Sequence, residues 1–145
     1  MALDGVDRRI LRLVEANGKI AYQEIGEAVG LSAAAAFQRV RRLEAAGFIT
    51  GYHARVDAAA VGRPLLAFIE VESDGPLDQA QFKRWLRTPA MLECHRLSGL
   101  DRFLLKVRCE SHADLVALVD ALRKAGCRTR THMALETQFE RWAVA

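Results

Sequence analysis

Residues 22–47 carry the sequence YQEIGEAVGLSAAAAFQRVRRLEAAG, which decides the fold of the N-terminal third of the chain. Apolar side chains at helical spacing over residues 22–29 predict a short helix with one buried face. Gly30 ends this helix, and Ser32 stands where an N-cap hydroxyl accepts a hydrogen bond from the next helix. Two helices joined by a short, glycine-based connection form a helix-turn-helix. The stretch therefore predicts this motif, with its second helix over residues 33–46.

The second helix of the predicted motif combines an apolar stripe with a cationic face. Ala36, Val40 and Leu43 form the stripe. Small side chains in the first turn let the helix tip approach a groove floor or a phosphate, which the helix dipole favours. Arginine binds phosphate or reads guanine, and glutamine reads adenine. The residues from which we expect DNA contacts are Ser32, Ala34, Ala35, Gln38, Arg39, Arg41 and Arg42.

The clustered arginines of this helix need a partner of opposite charge. Arg39, Arg41 and Arg42 repel one another in an isolated helix, and an anionic partner relieves that repulsion. A solvated face on a three-helix unit is the alternative interpretation, and the preceding helix, the glycine break and the cap weigh against it. Phe37 lies one step off the apolar stripe. It either flanks the core or makes an apolar contact with DNA, and we favour the first.

The segments on either side of the motif complete a small domain. Residues 4–16 predict an amphipathic helix that ends at Asn17-Gly18. Residues 48–56 are interpreted as two short extended pieces around a turn, which would form a wing. We therefore expect an N-terminal helix-turn-helix DNA-binding domain, winged or plain, over residues 1–57, followed by a linker over residues 58–63.

The rest of the chain, residues 64–145, alternates between strand and helix patterns. The expected elements are a strand at 65–72, a helix at 77–87, strands at 91–97 and 103–109, a helix at 113–124 and a long strand at 129–138. This order is the ferredoxin-like βαββαβ arrangement. The fold class is therefore α+β, with an effector-binding and oligomerisation domain after the helix-turn-helix.

The predicted sheet has one face that its own helices do not cover. Phe82, Trp85 and Leu86 are expected to point inward from the first of these helices. The first strand is apolar on both sides, with Leu66 and Phe68 on one side and Ala67, Ile69 and Val71 on the other. An uncovered apolar face favours a partner, and a second copy of the chain is the simplest one. A two-fold dimer would place two recognition helices in successive major grooves, about 34 Å apart.

Composition and charge limit the classes of protein to which the chain can belong. The 145 residues are 51% apolar and 27% charged with a net charge of +3, which is typical of a globular protein. No apolar run approaches the ~20 residues of a membrane span. The N-terminus lacks the pattern of a secretory signal. We therefore expect a cytoplasmic protein with no membrane contact.

Catalytic and metal-binding patterns are missing from the sequence. The cysteines, Cys94, Cys109 and Cys127, form no C-x-x-C pair, which argues against zinc and disulfide frameworks. The histidines are scattered, and there is no nucleophile elbow or phosphate loop. We expect no metal, no cofactor and no catalytic residue. The competing interpretations are a small ferredoxin-like enzyme and a metabolite-sensing interaction module without DNA binding.

Nearly the whole chain resembles the Lrp/AsnC family, the leucine-responsive or feast/famine transcriptional regulators. The motifs that carry the resemblance are Leu3-Asp4-x-x-Asp7-x-x-Ile10-Leu11, Gly30-Leu31-Ser32, Arg39-Val40-x-Arg42-Leu43-Glu44-x-x-Gly47-x-Ile49-x-Gly51-Tyr52, Glu93-Cys94-His95-x-Leu97-Ser98-Gly99 and Leu104-Leu105-Lys106-Val107. The resemblance implies sequence-specific binding of double-stranded DNA, dimers that build to tetramers or octamers, and regulation by a small effector, usually an amino acid. Ala33 departs from the proline that many relatives have at the start of the recognition helix, and alanine is acceptable there.

The resemblance also places the effector against the loop between the second and third strands. The residues that it implies there are Gly99, Leu100, Asp101 and Arg102, with hydroxyls from Thr129 and Thr131 on the last strand. Arg102 stands where the family usually has an aspartate that meets the amino group. Three outcomes stay open: Asp101 substitutes for that aspartate, Arg102 selects an acidic ligand, or the loop binds no effector. The two threonines are equally well explained as ordinary solvated strand residues.

Overall fold

The chain forms two compact units. The residues that the computed structural model describes are 2–73, 79–98, 102–141 and 144–145. One unit comprises Met1–Arg55 together with Phe139–Ala145, and the other comprises Val56–Gln138. The last residues thus cluster with the helical unit, and the domain bounds that the sequence predicts, 1–57 and 64–145, stay a prediction. In the helical unit the backbone N–H groups of Val144 and Ala145 donate to the carboxylate of Glu15 at 2.7 and 2.9 Å.

Three helices build the first unit: α1 (Gly5–Ala16), α2 (Tyr22–Val29) and α3 (Ala33–Ala45). Their apolar faces meet in one core, as the helical periodicity predicted. The buried core residues are Ile10, Leu11, Ile25, Ala36, Val40 and Leu43. The predicted stripe of α3 is therefore confirmed in full, and its opposite face is left to solvent.

The connection between α2 and α3 has the geometry predicted for a helix-turn-helix. Gly30 ends α2 in the left-handed region, with φ 73° and ψ 37°, where a side chain would be strained. The Leu31 N–H donates to the Gly26 carbonyl at 2.8 Å and closes the turn. Ser32 then caps α3, because its Oγ accepts a hydrogen bond from the Ala35 N–H at 3.2 Å.

The predicted wing is wrong. Residues 48–57 are all described, and none of them forms a strand. A two-stranded ribbon is marginal without a further strand, and no residue of this segment pairs with one. The motif is therefore a plain helix-turn-helix. After it, a turn over residues 58–62 begins at Asp57, whose carboxylate accepts from the Ala59 and Ala60 N–H groups at 2.8 and 3.2 Å.

The second unit follows the predicted βαββαβ order. Its elements are β1 (Leu65–Ser73), α4 (Gln79–Leu86), β2 (Met91–Arg96), β3 (Arg102–Cys109), α5 (His112–Lys124) and β4 (Cys127–Met133). The strands form one sheet in the order β2-β3-β1-β4, with every neighbouring pair antiparallel. This order is the ferredoxin-like topology. No helix among the described residues is long and apolar enough to span a membrane.

One face of the sheet packs under the helices. The buried residues of this core are Ala67, Ile69, Val71, Trp85, Leu105, Val107, Cys109, Leu115, Val119, Leu122 and Cys127. Trp85 and Phe82 point inward as predicted, whereas Leu86 is 41% exposed, so its assignment to the core was wrong. Leu86 is the last residue of α4, where the helical turn no longer faces the sheet.

The last strand is shorter than predicted. The sequence alternates as far as residue 138, but β4 ends at Met133. Its partner β1 begins at Leu65, and the final hydrogen bond between them joins the Ala134 N–H to the Leu66 carbonyl at 2.9 Å. Beyond that point β4 has no neighbouring strand to pair with. The alternating pattern over residues 134–138 therefore does not correspond to a strand.

The uncovered face of the sheet is largely charged. The strand register places Leu66, Phe68 and Leu104 on this face as its apolar residues. The same register surrounds them with Glu70, Glu72, Glu93, His95, Arg102, Lys106, Arg108, Arg128, Arg130 and His132. The first strand is thus apolar on both sides, as predicted, but the neighbouring strands make most of the uncovered face charged.

Candidate nucleic-acid interface

The outer face of α3 is open to solvent and carries part of the predicted DNA-contact set. Ala34, Gln38 and Arg41 are exposed on it. Gln38 makes no hydrogen bond with any other described residue, so both ends of its amide are available to a base edge. The Arg41 side chain is 64% exposed, and its guanidinium lies 3.0 Å from the Glu44 carboxylate. Exposed pairs of this kind are weak, so Arg41 can exchange Glu44 for a phosphate.

The tip of α3 is small and positively polarised. Ser32 is exposed and engaged in the N-cap, while Ala33 and Ala34 present only methyl groups. Ala35 is half-buried, which leaves it at the edge of the face. The first turn of α3 contains no acidic side chain. Its free N–H groups and dipole therefore favour an approaching anion.

A buried carboxylate in α1 holds two of the predicted DNA-contact arginines. Asp7 is only 1% exposed. Its Oδ1 accepts from Arg39 Nη1 at 2.8 Å, and Arg42 Nη2 donates to both carboxylate oxygens at 3.0 and 3.1 Å. Arg39 also donates to Asp4, the N-cap of α1. These pairs tie α3 to the N-terminus of α1.

The charge balance of α3 therefore differs from the sequence-based hypothesis. We inferred an anionic partner outside the protein from the repulsion between Arg39, Arg41 and Arg42. The chain supplies its own anions, Asp7 and Glu44 among them. Arg39 is held inside, with 28% of its side chain exposed, whereas Arg42 keeps 48%. Clustered arginines in this helix are thus explained in part without DNA.

The protonation of Asp7 follows from these contacts. Burial raises the pKa of Asp7, but hydrogen bonds from Arg39, the Asp4 backbone and Arg42 outweigh burial and hold this pKa below its ordinary value. The same contact with Arg39, together with the Asp7 backbone, lowers the pKa of Asp4. Both carboxylates are therefore ionised whenever the protein is near neutral pH.

Gly26 is a functional position that sequence analysis missed. A Cβ at this residue would lie 2.5 Å from the Leu31 carbonyl oxygen and 3.2 Å from backbone atoms of Ser32. Only a glycine lets the chain fold back so closely after α2. A glycine in the interior of a predicted helix was the available signal, because it usually marks a packing requirement.

Tyr52 connects the segment after α3 to α3 itself. Its hydroxyl donates to Glu44 Oε1 at 2.9 Å, while Arg41 donates to the other oxygen of that carboxylate at 3.0 Å. Burial, followed by the hydrogen bond to Glu44, raises the pKa of Tyr52 to about 12. The Glu44 carboxylate therefore accepts hydrogen bonds from both Arg41 and Tyr52 at the end of α3.

The predicted effector residues are only partly visible. Gly99, Leu100 and Asp101 lie outside the described residues. Arg102 begins β3 on the uncovered face, and its Nη2 lies 3.4 Å from the Glu72 carboxylate. Glu72 also pairs with Arg128 at 3.1 Å. The cationic charge of Arg102 at the loop is therefore partly balanced by Glu72.

Thr129 and Thr131 do not share a face with Arg102. They pair with Val71 and Ile69 of β1, whose side chains point toward the helices. Thr129 accepts a hydrogen bond from Arg123 Nε at 3.0 Å. The Thr131 hydroxyl is buried and has no hydrogen-bond partner among the described residues. The structure thus separates the two threonines from Arg102 by the thickness of the sheet.

The strand pattern Glu93-Cys94-His95 forms hydrogen bonds with its neighbours rather than a ligand set. Glu93 accepts from His95 at 3.0 Å and from Lys106 at 3.0 Å, and Cys94 points to the opposite side, against the core. Burial raises the pKa of the Cys94 thiol. Within the described part of the chain, no group of three or more His, Cys, Asp or Glu side chains is placed to hold a metal ion.

Comparison with known families assigns both units. The AsnC-type helix-turn-helix domain matches residues 3–44, and the Lrp/AsnC ligand binding domain matches residues 66–144. The transcriptional regulator LrpA of Mycobacterium tuberculosis is 37% identical over 146 aligned positions, which cover 95% of this chain and 93% of LrpA. A leucine-responsive regulatory protein of Rhizobium meliloti is 40% identical over 115 positions, covering 77% of this chain and 73% of its own length.

Solved structures share the fold over nearly the full length. A feast or famine regulatory protein from Mycobacterium tuberculosis complexed with L-methionine superposes with a TM-score of 0.86 at 33% identity, covering 96% of each chain. A transcriptional regulator from Neisseria meningitidis in complex with L-methionine gives a TM-score of 0.90 at 25% identity, covering 99% of this chain and 97% of its own. Both units therefore have the arrangement of strands and helices seen in these regulators.

Proposed function

Because the chain belongs to the Lrp/AsnC family of transcriptional regulators, we propose that it binds specific sequences of double-stranded DNA through the outer face of α3 and responds to an amino acid. The curated relatives are regulators rather than enzymes, and we extend that absence of catalysis to this chain. The proposal separates two roles in α3. Ser32, Ala34, Ala35, Gln38 and Arg41 contact DNA, while Arg39 positions the helix.

The exposure of Gln38 and Arg41 on a capped helix is the observation that carries this proposal. Gln38 has no hydrogen-bond partner among the described residues and can pair with an adenine edge, and Arg41 has only a weak surface partner to give up. At the helix tip, the small side chains of Ala34 and Ala35 keep the backbone within reach of the groove. Arg42 is half-exposed, so it is able to contact a phosphate while it remains paired with Asp7.

Oligomerisation and effector binding are the finer parts of the proposal. We propose a homodimer that pairs the uncovered sheet faces, in which Phe68 and Leu104 pack between the subunits and the exposed charged side chains surround them. Higher assemblies, tetramers or octamers, follow the family. We place the effector at the loop over residues 98–102, as the family resemblance implies. An amino acid is the expected class of effector because two regulators of the same fold form complexes with L-methionine. The balance of Arg102 by Glu72 favours a loop that still accepts an amino acid.

Selection from a random duplex pool tests DNA binding directly. We expect the full chain to enrich a defined sequence from a 30-base-pair random library, and its affinity for that duplex to fall steeply with salt, because phosphate contacts release counterions. Binding is measured by fluorescence anisotropy over a range of NaCl concentrations. Enrichment of no sequence, with affinity independent of salt, would rule out the regulator assignment.

A metabolite-sensing module without DNA binding is the second candidate. It is favoured by the ion pairs of Arg39 and Arg42 with Asp7, because these pairs explain two cations of α3 without nucleic acid. This candidate predicts thermal stabilisation by an amino acid such as L-methionine and no enrichment in the duplex selection. The two experiments together separate it from a regulator, which is expected to respond in both.

A further inference from the structure

Phe37 and Tyr22 form an exposed aromatic pair beside the proposed DNA-contact residues. Phe37 is 38% exposed and Tyr22, the first residue of α2, is 39% exposed. Their ring centroids lie 5.1 Å apart with an interplanar angle of 81°, an edge-to-face contact. This contact fixes the Phe37 ring while leaving much of it open to solvent. From the sequence we favour a role for Phe37 at the edge of the core. That role leaves the exposed part of the ring without a contact.

The position of Phe37 on α3 places its ring on the outer face. The buried stripe is formed by Ala36, Val40 and Leu43, whereas Phe37 and Gln38 are both exposed. Residues four apart lie one above the other on a helix, so Phe37 shares a row with Ala33 and Arg41. Ala33 is only a methyl group, so the ring extends beyond it toward whatever covers this face.

The major groove offers one kind of apolar partner to such a ring. Among the base edges exposed there, only thymine carries a methyl group, and Phe is one of the side chains that contact it. Gln38 is the next residue, and its amide matches the edge of adenine, the base that pairs with thymine. Two adjacent side chains thus favour the same A·T base pair or two neighbouring ones.

We propose that Phe37 is a specificity-determining residue that reads a thymine methyl group in the major groove. The inference rests on the proposed function, since it requires α3 to lie in the groove. Tyr22 keeps the ring oriented through the edge-to-face contact. The duplexes that this chain prefers therefore contain thymine at the position that Phe37 covers, and replacing that thymine by a base without the methyl group weakens binding.

Replacing thymine by uracil at one position at a time measures the contribution of each thymine methyl group to binding. The probe is the duplex enriched from the random library, synthesised again with deoxyuridine in place of each thymine in turn, which removes only the C5 methyl. We expect one thymine per half-site at which deoxyuridine weakens binding about fivefold, in line with the transfer of one methyl group out of water. In the Phe37→Ala variant, the two duplexes should bind with equal affinity.

Matched variants separate this contact from a general loss of structure. Phe48→Ala removes another exposed ring, 40% exposed and beyond the end of α3, and should keep the fivefold preference. Tyr22→Phe retains the ring that makes the edge-to-face contact and should also keep the fivefold preference. The deoxyuridine series on the unchanged protein does not depend on how any variant folds.

Each outcome of the series decides one question. If no duplex is enriched, the proposed function and this inference both fail. If a duplex is enriched but deoxyuridine is tolerated at every position, DNA binding stands and the role of Phe37 is overturned. Retention of the fivefold preference in Phe37→Ala would overturn it as well, because another residue would then contact the methyl group.

Discussion

Replacing Gly26 by alanine is expected to lower the free energy of unfolding of the helical unit by about 2 kcal/mol and to abolish DNA binding. The added Cβ would lie 2.5 Å from the Leu31 carbonyl oxygen, which is backbone and cannot move without opening the turn. In an ordinary helix interior the same change stabilises by about 1 kcal/mol. The clash therefore reverses the usual sign. Since the turn sets the direction of α3, the groove contacts are lost with it.

Gly5→Ala is the control for this prediction. Gly5 is the first residue of α1, and a Cβ there would meet no atom within 4 Å. Alanine at this position should leave the melting temperature unchanged or raise it slightly, with DNA binding intact. Thermal unfolding and anisotropy on both variants complete the comparison. A Gly26→Ala protein as stable as the parent would show that the turn is not as tight as the geometry indicates.

Removing the Asp7 carboxylate is expected to have the second large effect. Asp7→Ala should destabilise the helical unit by about 3 kcal/mol, because removing the carboxylate leaves the partly buried charges of its arginine partners uncompensated. The magnitude lies at the low end for buried pairs, since Arg39 and Arg42 retain 28% and 48% exposure and are able to regain water. DNA binding should weaken too, because α3 loses its attachment to α1.

The pH dependence of this effect has a definite sign. The pKa of Asp7 is held below the ordinary value of 3.8, so its contribution is fully present above that value and is lost as the pH falls through the lower, folded-state pKa. The stability difference between the parent and Asp7→Ala should be constant from pH 5 to neutrality and shrink below pH 4. Denaturant unfolding across this range measures it.

An exposed acid provides the matched control for Asp7. Glu27 lies in α2 and its carboxylate accepts only a hydrogen bond from Gln23 at 3.0 Å among the described residues. Glu27→Ala should change the stability little at any of these pH values. If the difference in the free energy of unfolding between the parent and Asp7→Ala stayed constant down to pH 3, the ionised, paired state of Asp7 would be contradicted.

Local patterns in the sequence were sufficient for most of the fold. The stripe of Ala36, Val40 and Leu43, the break at Gly30 and the cap at Ser32 depend on neighbours a few residues away, and all are confirmed. The order of strands and helices in the second unit followed from periodicity in the same way. The predicted end of the last strand was wrong, because β4 stops where β1 provides no further residue to pair with.

The interior of the candidate site depended on contacts that a helical wheel does not contain. Arg39 and Asp7 are 32 residues apart in the chain, and Arg42 and Asp7 are 35 apart. A wheel drawn for α3 alone places both arginines off the apolar stripe and leaves their partners undefined. An aspartate among the apolar residues of α1 was the one signal, since a buried carboxylate requires a cation. Side-chain pairing across helices therefore left Arg41 as the arginine of α3 with only a weak surface partner.

The salt dependence of DNA binding in two arginine variants tests most directly the claim that the outer face of α3 meets DNA. Arg41→Ala should reduce the slope of log K against log salt by about one, at an unchanged melting temperature. Arg39→Ala should lower the melting temperature and leave that slope unchanged when binding is measured well below it. An unchanged slope and affinity in Arg41→Ala, with a reduced slope at parental stability in Arg39→Ala, would contradict the account.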